Sequence, residues 1–211
     1  MKLSKEIATA AIAIVVLTVV LGLAYPLVMT GIAQVAFPNK ANGSQIKVDG
    51  KVVGSKLLAK AFVIDTGKKD SDGNPITRPD PKYFQPRPSN TDYSATSTAF
   101  SNRGPNSAVG RFFYRDSLRA YLDRERKYDP GLTDAKVPVD AVTTSGSGVD
   151  PHISKANARI QARRIAAVRG IPLDRVDKLI DQHVDGRFLG VIGEPGVNVL
   201  ELNLALDKEA R

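Results

Sequence analysis

The chain has 211 residues, a net charge of +8, 42% hydrophobic residues and 25% charged residues, a composition typical of a globular protein rather than a disordered one. It contains no cysteine, which excludes disulfides, iron–sulfur clusters and thiol catalysis. Beyond residue 6 it has 28 Lys and Arg against 21 Asp and Glu, a surplus that suits an anionic partner and equally a basic domain without such a ligand.

The first element is an apolar run between Glu6 and Lys40, in which no charged residue occurs. A helix needs roughly 20 apolar residues to cross a bilayer, and lipid requires the backbone to satisfy its own hydrogen bonds. The run is too long for the apolar region of a cleaved signal peptide and lacks a small-residue cleavage site. It therefore predicts residues 1–6 as a short tail and 7–37 as an uncleaved membrane helix, which Pro26 should kink or interrupt.

Two features of this helix bear on its neighbours and its orientation. Thr18 and Gly22 form a small-xxx-small pair that would let another helix approach closely. The positive-inside rule gives no clean answer, because lysines flank the run on both sides, and the local count leans towards a cytoplasmic carboxyl-terminal part. The lysines are Lys2 and Lys5 before the run, and Lys40, Lys47, Lys51 and Lys56 after it.

Residues 38–211 are predicted to form one soluble α+β domain. Asp49-Gly50 is a strong type I′ turn pair and predicts a hairpin formed by residues 46–52. Residues 57–62 fit a short helix or strand. Residues 65–105 are expected to be loop-rich, with a mobile surface loop at 65–82 followed by an extended segment held by Tyr83, Phe84, Tyr93 and Phe100.

The second half of the chain predicts three helices and two strands. The helices are expected at about 107–126, from a cap at Asp150 to about Arg169, and at about 173–184. Residues 137–144 read as an edge strand, and the alternating leucines of 199–206 read as the cleanest strand of the chain.

The best candidate ligand site is the Ser-Gly-Ser-Gly loop before the second of these helices. Flexible backbone amides beside a helix N-terminus can hold a phosphate or a carboxylate. The phosphate-loop lysine is missing and a cap at Asp150 would compete for those amides, so a structural turn with a cap is the favoured interpretation. The candidate residues are Ser145, Gly146, Ser147, Gly148, Asp150 and His152. Two scattered histidines predict no metal site, the calcium-loop spacing at 70–74 is broken by prolines, and no serine-nucleophile elbow occurs. The few aromatics argue against nucleic acid.

Several blocks of this sequence resemble the KdpC family, the C chain of the potassium-transporting P-type ATPase. They are Gly-Ser-Lys-Leu-Leu at 54–58, Tyr-Phe-Gln-Pro-Arg-Pro-Ser at 83–89, the stretch from 142 to 154 that contains Asp-Pro-His-Ile-Ser, the residues Gln161, Arg164 and Ala166, and Val-Leu-Glu-Leu-Asn-Leu-Ala-Leu at 199–206.

The resemblance implies an accessory subunit of a high-affinity potassium pump in a bacterial plasma membrane. The implied topology is single-pass, with a cytoplasmic N-terminus and an extracytoplasmic domain. The implied partners are the bilayer, a channel-like potassium-translocating subunit, a P-type ATPase subunit that carries the phosphorylated aspartate, and a small membrane subunit. It implies no catalytic residue in this chain and no stably bound cofactor, with ATP met only through the partner complex.

Two family roles compete. In one, the domain lies outside the cell, stabilises the complex and supports ion access. In the other, the chain is a catalytic chaperone that raises the ATP affinity of the ATPase subunit, with Gln161 as the implied nucleotide contact. A role of another class is a free-standing anchored binding or sensor protein of the cell envelope.

Overall fold

The computed structural model describes residues 2–104 and 106–209. The chain divides into two compact units between Ser55 and Lys56. The first unit is a long helix followed by a hairpin, and the second mixes helices with short strands. The predicted α+β class with one N-terminal membrane helix is confirmed.

The long helix consists of α1 (Lys2–Leu17), a π-helical stretch (Thr18–Ala24) and α2 (Tyr25–Ala36). None of the side chains described in it is buried, and Leu3–Ala36 is long and apolar enough to cross a membrane. The Tyr25 N–H donates to the Val20 carbonyl, five residues back. Because Pro26 has no N–H and its ring crowds the preceding turn, the helix widens before it; the expected interruption is this local widening.

After the short α3 (Pro38–Ala41), β1 (Gln45–Val48) and β2 (Lys51–Ser55) form the predicted antiparallel hairpin. Asp49 has φ 50° and Gly50 has φ 77°. Two positive φ values in the loop of a two-residue hairpin are the signature of the type I′ turn that Asp-Gly favours.

The second unit begins with a hairpin that the sequence did not predict. Strands β3 (Val63–Lys69) and β4 (Pro75–Pro79) pair antiparallel where a mobile loop was expected. The Asp70 carboxylate accepts hydrogen bonds from the N–H groups of Asp72 and Asn74 and so closes the turn. The prediction failed because most side chains of both strands are exposed, so no alternating apolar pattern marks them.

The remaining elements surround the main core. A three-stranded antiparallel sheet has the order β5-β7-β6. Its strands are β5 (His152–Ile153), β6 (Val184–Asp185) and β7 (Gly196–Asn198), and the helices are α4 (Ala108–Glu125), α5 (Lys155–Arg169), α6 (Leu173–Gln182) and α7 (Val199–Glu209). The apolar sides of α5, α6 and α7 share one core with Phe84, and α4 packs on a smaller core around Leu132.

Two predicted helix ends are confirmed and carry caps. Ser107 caps α4 and accepts a hydrogen bond from the Gly110 N–H at 3.3 Å. Gly170 ends α5 in the left-handed conformation, with φ 67°. Both residues satisfy backbone groups that a helix end leaves unpaired.

Three further secondary-structure predictions were wrong. The leucine-rich C-terminal stretch is helix α7, since its buried residues Val199, Leu202 and Leu206 follow helical spacing. Residues 137–144 contain a short 3-10 helix, Val139–Ala141, in place of a strand. Residues 57–62 form turns and irregular backbone. Of the four expected aromatic anchors, Phe84 is fully buried, whereas Phe100 is exposed.

Candidate functional site

The Ser-Gly-Ser-Gly loop uses its backbone amides internally. Ser145 Oγ accepts hydrogen bonds from the N–H groups of Gly148 at 2.9 Å and Asp150 at 3.4 Å, and Ser147 Oγ accepts one from Val149 at 3.2 Å. These are amides that an anion would need. The arrangement is that of a structural turn, which is the interpretation that the sequence favoured.

Gly148 is the residue that the turn requires. Its φ is 76°, and a Cβ added there would lie 2.9 Å from Thr91 Oγ1 and 3.1 Å from the Ala99 carbonyl oxygen. Gly146, two residues earlier, has no neighbour within 4 Å of such a Cβ. The close approach of the 91–99 segment therefore depends on Gly148 alone of these two glycines.

Asp150 does not cap α5, so that prediction was wrong. Ser154 is the cap and accepts a hydrogen bond from the Asn157 N–H at 3.1 Å. Pro151 lies outside the helix, and His152 belongs to β5. The Asp150 carboxylate instead accepts from the His152 N–H at 3.0 Å and pairs with Arg87 at 3.4 Å. Strand β5 therefore separates the glycine-rich loop from the helix N-terminus.

His152 lies between two carboxylates. Its Nδ1 is 3.5 Å from Asp150 Oδ1 and its Nε2 is 3.2 Å from Asp185 Oδ2. The hydrogen bond to Asp150 raises the pKa of His152 against the effect of burial, and Asp185 adds to the increase. Burial raises the pKa of Asp150, but its hydrogen bonds with His152 and the charge of Arg87 hold that pKa below the ordinary value. The contact between His152 and Asp185 joins β5 to β6. We interpret it as a structural contact rather than as a catalytic dyad.

Gln161, the implied nucleotide contact, is buried, with 1% of its surface exposed. Its Oε1 accepts from the Gln85 N–H at 2.8 Å and its Nε2 donates to the Gln85 carbonyl at 3.1 Å. Nε2 also donates to Asn157 Oδ1, and Arg164 donates to Oε1. A nucleotide would reach this amide only after it gave up protein partners.

A second buried amide binds the neighbouring residue in the same way. Asn203 Oδ1 accepts from the Phe84 N–H at 2.9 Å, and Asn203 Nδ2 donates to the Phe84 carbonyl at 3.0 Å. Gln161 on α5 and Asn203 on α7 thus fix two consecutive residues of the extended segment 83–89. This pairing explains how a segment without regular structure stays in the core.

Next to Gln161 lies a buried ion pair that sequence reasoning missed. Arg164 Nε lies 3.1 Å from both carboxylate oxygens of Glu125, and neither side chain is more than 1% exposed. Arg164 also donates to the carbonyls of Pro81 and Tyr83. The available signal was spacing alone, since Asn157, Gln161 and Arg164 follow i, i+4 and i+7 on the inner side of α5.

The other cations of α5 also pair with carboxylates, and all but Arg169 do so at the surface. Lys155 lies 2.8 Å from Asp181, Arg163 lies 3.4 Å from Asp129, and Arg169 lies 2.8 Å from Asp207. The hydrogen bond from Lys155 holds the pKa of Asp181 below its usual value. The basic side of α5 is therefore largely neutralised within the protein.

Among residues 2–104 and 106–209, no group of three or more His, Cys, Asp or Glu side chains is arranged to hold a metal ion. The second histidine, His183, has its Nδ1 2.8 Å from the Leu179 carbonyl oxygen. Thr18 and Gly22 both lie in the exposed π-helical stretch, and a Cβ added to Gly22 would lie 3.8 Å from Thr18 Cγ2. Their role in helix packing stays a prediction.

Comparison with known proteins identifies the family. The sequence profile described as "KdpC: K+-transporting ATPase, c chain" matches residues 7–208. The chain belongs to the KdpC family. A potassium-transporting ATPase KdpC subunit of Methylobacterium nodulans is 48% identical over 201 residues, which cover 93% of each chain.

Two further KdpC subunits show that the likeness spans more than nine tenths of the chain. That of Caldanaerobacter subterraneus is 45% identical over 93% of this chain and 91% of its own length. That of Sorangium cellulosum is 45% identical over 94% and 95%, respectively. The resemblance read from the sequence blocks is confirmed, including the assignment to potassium transport as an ATPase subunit.

Proposed function

We propose that this chain is a non-catalytic, single-pass accessory subunit of an ATP-driven potassium uptake pump. Its soluble unit stabilises the complex and supports ion access to a channel-like subunit, while a separate P-type ATPase subunit hydrolyses ATP. The observation that carries the proposal is that the polar groups of the candidate site form hydrogen bonds within the protein and so are not free to bind a substrate. The serine hydroxyls hold loop amides, and Gln161 and Arg164 hold the 81–85 segment.

The helix Leu3–Ala36 supports the anchoring part of this role. At 1.5 Å per residue it is about 50 Å long, against a hydrocarbon core of about 30 Å, so it is long enough to span with tilt. Its exposed apolar side chains would be unstable in water. A lipid environment accounts for them without a further partner.

The role as a catalytic chaperone through Gln161 has less support. Direct contact with ATP needs an accessible polar group, and the Gln161 amide is buried with four hydrogen bonds to the protein. The role as a free-standing envelope sensor also has less support, because membership of the KdpC family connects the chain with a multi-subunit ATPase.

The orientation is tested by labelling single cysteines in intact cells with a membrane-impermeant thiol reagent. The chain has no native cysteine. Ser71→Cys places the thiol in the exposed turn between β3 and β4, and Ser4→Cys, at the N-terminal end of the helix and before the uncharged run that starts at Ile7, serves as the matched control. Labelling at 71 in intact cells, with labelling at 4 only after permeabilisation, is expected. The reverse pattern would overturn the extracytoplasmic placement.

The accessory role is tested by truncation at the boundary between the two units. A chain ending at Ser55 retains the membrane helix and the first hairpin. We expect the complex purified with this chain to show lower subunit recovery or weaker apparent potassium affinity than the complex with the full chain. Unchanged recovery together with unchanged potassium affinity would overturn the proposed role.

A further inference from the structure

The second unit carries one concentrated apolar surface feature, the loop 187–194, here called the apolar finger. Four of the five residues from 188 to 192 are large and apolar, with exposed fractions of 68% for Phe188, 78% for Leu189, 74% for Val191 and 59% for Ile192. In the described part of this unit, no other stretch of five residues holds more than two exposed large apolar side chains. Water does not favour such a cluster, and clusters of this kind mark interaction sites.

The backbone of the finger is folded tightly. The Phe188 N–H donates to the Ile192 carbonyl at 2.8 Å, and the Gly190 N–H donates to the Arg187 carbonyl at 3.0 Å. Leu189 has φ 52° and Gly190 has φ 78°. A leucine in the left-handed region is under conformational strain. Strained residues of this kind cluster at functional sites, where the strain serves a purpose.

The two ends of the finger are paired with each other at the surface, and the finger continues into a core strand. Arg187 donates to both carboxylate oxygens of Glu194 at 3.1 Å. The finger connects β6 to β7, whose Val197 is fully buried. A rigid connection lets the apolar side chains bind without a large loss of conformational entropy.

The charges at the base indicate what kind of partner fits. Arg187 is paired with Glu194, and Asp185 is paired with His152. The finger therefore brings no surplus of lysine or arginine, the residues that strengthen peripheral binding to an anionic membrane. Its neutral to slightly acidic base suits a protein surface with a neutral or basic rim.

We propose that the apolar finger inserts into an apolar pocket, with a neutral or basic rim, on a partner subunit of the potassium-transporting ATPase. The inference rests on the proposed function, because it requires this chain to assemble with partner subunits. It adds the surface through which the soluble unit makes that contact. Phe188 and Leu189 form the inserted tip, and the backbone hydrogen bonds within the finger hold the tip in shape.

The contact is tested by photo-crosslinking in membranes that contain the whole complex. A benzophenone amino acid replaces Leu189 in one full-length chain and Val139 in another; Val139 is 74% exposed and lies outside the finger. After irradiation we expect an adduct with the mass of this chain plus one partner subunit, about fivefold or more stronger from position 189 than from 139.

Every other result from position 189 would overturn the finger as a docking element. Adducts with lipid would indicate a membrane contact, a doubled mass would indicate a second copy, and a link within the chain would indicate that its own residues cover the finger. The absence of a protein adduct would overturn it as well. If the unmodified chain fails to copurify with the ATPase subunits, the proposed function falls; if it copurifies and the adduct is missing, only this inference falls.

Two substitutions separate docking from folding. Val191→Asp places a charge in the finger, and Val139→Asp makes the same change at a site of equal exposure. We expect the Val191 variant to leave the detergent-solubilised complex about tenfold faster or more, and the Val139 variant to behave as wild type. Leu189→Asn suits the left-handed backbone, so it should retain the melting temperature while weakening association. Equal retention of all three variants would overturn the proposal.

Discussion

Arg164→Met tests whether the buried ion pair organises the second unit. The substitution retains most of the side-chain volume and removes the guanidinium that donates to Glu125, Gln161 and the carbonyls of the 81–83 segment. Removing one member of a buried pair costs about 3–5 kcal/mol, because the other charge remains buried without compensation. With total stabilities of about 5–15 kcal/mol, about a fifth or more of the stability would be lost.

The assay is thermal unfolding of the full-length protein in detergent, monitored by circular dichroism. At about 2–4 °C per kcal/mol for a unit of this size, the expected decrease in melting temperature is about 6–20 °C. Arg175→Met is the matched control, since Arg175 is 62% exposed in its pair with Glu209 and such pairs contribute about 1 kcal/mol or less. Equal effects of the two substitutions would refute the reasoning. Glu125→Gln combined with Arg164→Met should cost less than the sum of the two single changes.

Three further predictions concern the candidate site. Gln161→Ala leaves buried backbone groups unpaired and should lower stability by about 2–5 kcal/mol, while the ATP KM of the assembled pump stays unchanged. Gly148→Ala should destabilise by about 1–3 kcal/mol because of the positive φ and the close contact, whereas Gly146→Ala should change stability little; thermal unfolding measures both. His152→Gln should remove a pH-dependent contribution of less than about 1 kcal/mol, measured by unfolding at pH 5 and pH 8.

The sign of the His152 effect follows from its raised pKa. The protonated form is favoured in the folded state, so its stabilisation is complete below the unfolded pKa of about 6.5. It is lost as the pH rises through the folded pKa. A wild-type advantage over the His152 variant that grows with pH would contradict this sign.

The other two predictions also have clear contradicting outcomes. A raised ATP KM for a stably folded Gln161 variant would support direct contact between Gln161 and the nucleotide, which the burial of Gln161 disfavours. Equal stability losses at Gly148 and Gly146 would mean that the Thr91 contact does not restrict this loop. Binding of inorganic phosphate to the wild-type loop would likewise show that its amides are available.

The sequence was sufficient wherever local chemistry determines structure. Asp49-Gly50 predicted its hairpin because the turn type depends on those two residues, and Gly170 predicted a helix end. The strand predicted at residues 199–206 was wrong, because alternating leucines fit a strand as well as a helix. The burial of Val199, Leu202, Asn203 and Leu206, which decides for the helix, depends on tertiary packing that no local pattern shows.

The sequence predicted where the candidate site lies, but not what its polar groups bind. The glycine-rich loop was identified, yet the sequence does not show that Ser145 and Ser147 occupy its amides. Gln161 entered through the family resemblance, and its contact with Gln85 joins residues 76 positions apart. Contacts of that separation follow from the fold as a whole.

The π-helical stretch Thr18–Ala24 turns one membrane helix into two differently facing halves. Each residue in a π-helix advances about 82° around the axis, against about 100° in an α-helix. Over seven residues the difference accumulates to about 130°, more than a third of a turn. A straight neighbouring helix that follows one side of α1 would meet another side of α2. A helix packed on α1 and a helix packed on α2 would therefore approach from different sides, and bulky substitutions should show sensitivity that changes sides between Leu17 and Tyr25.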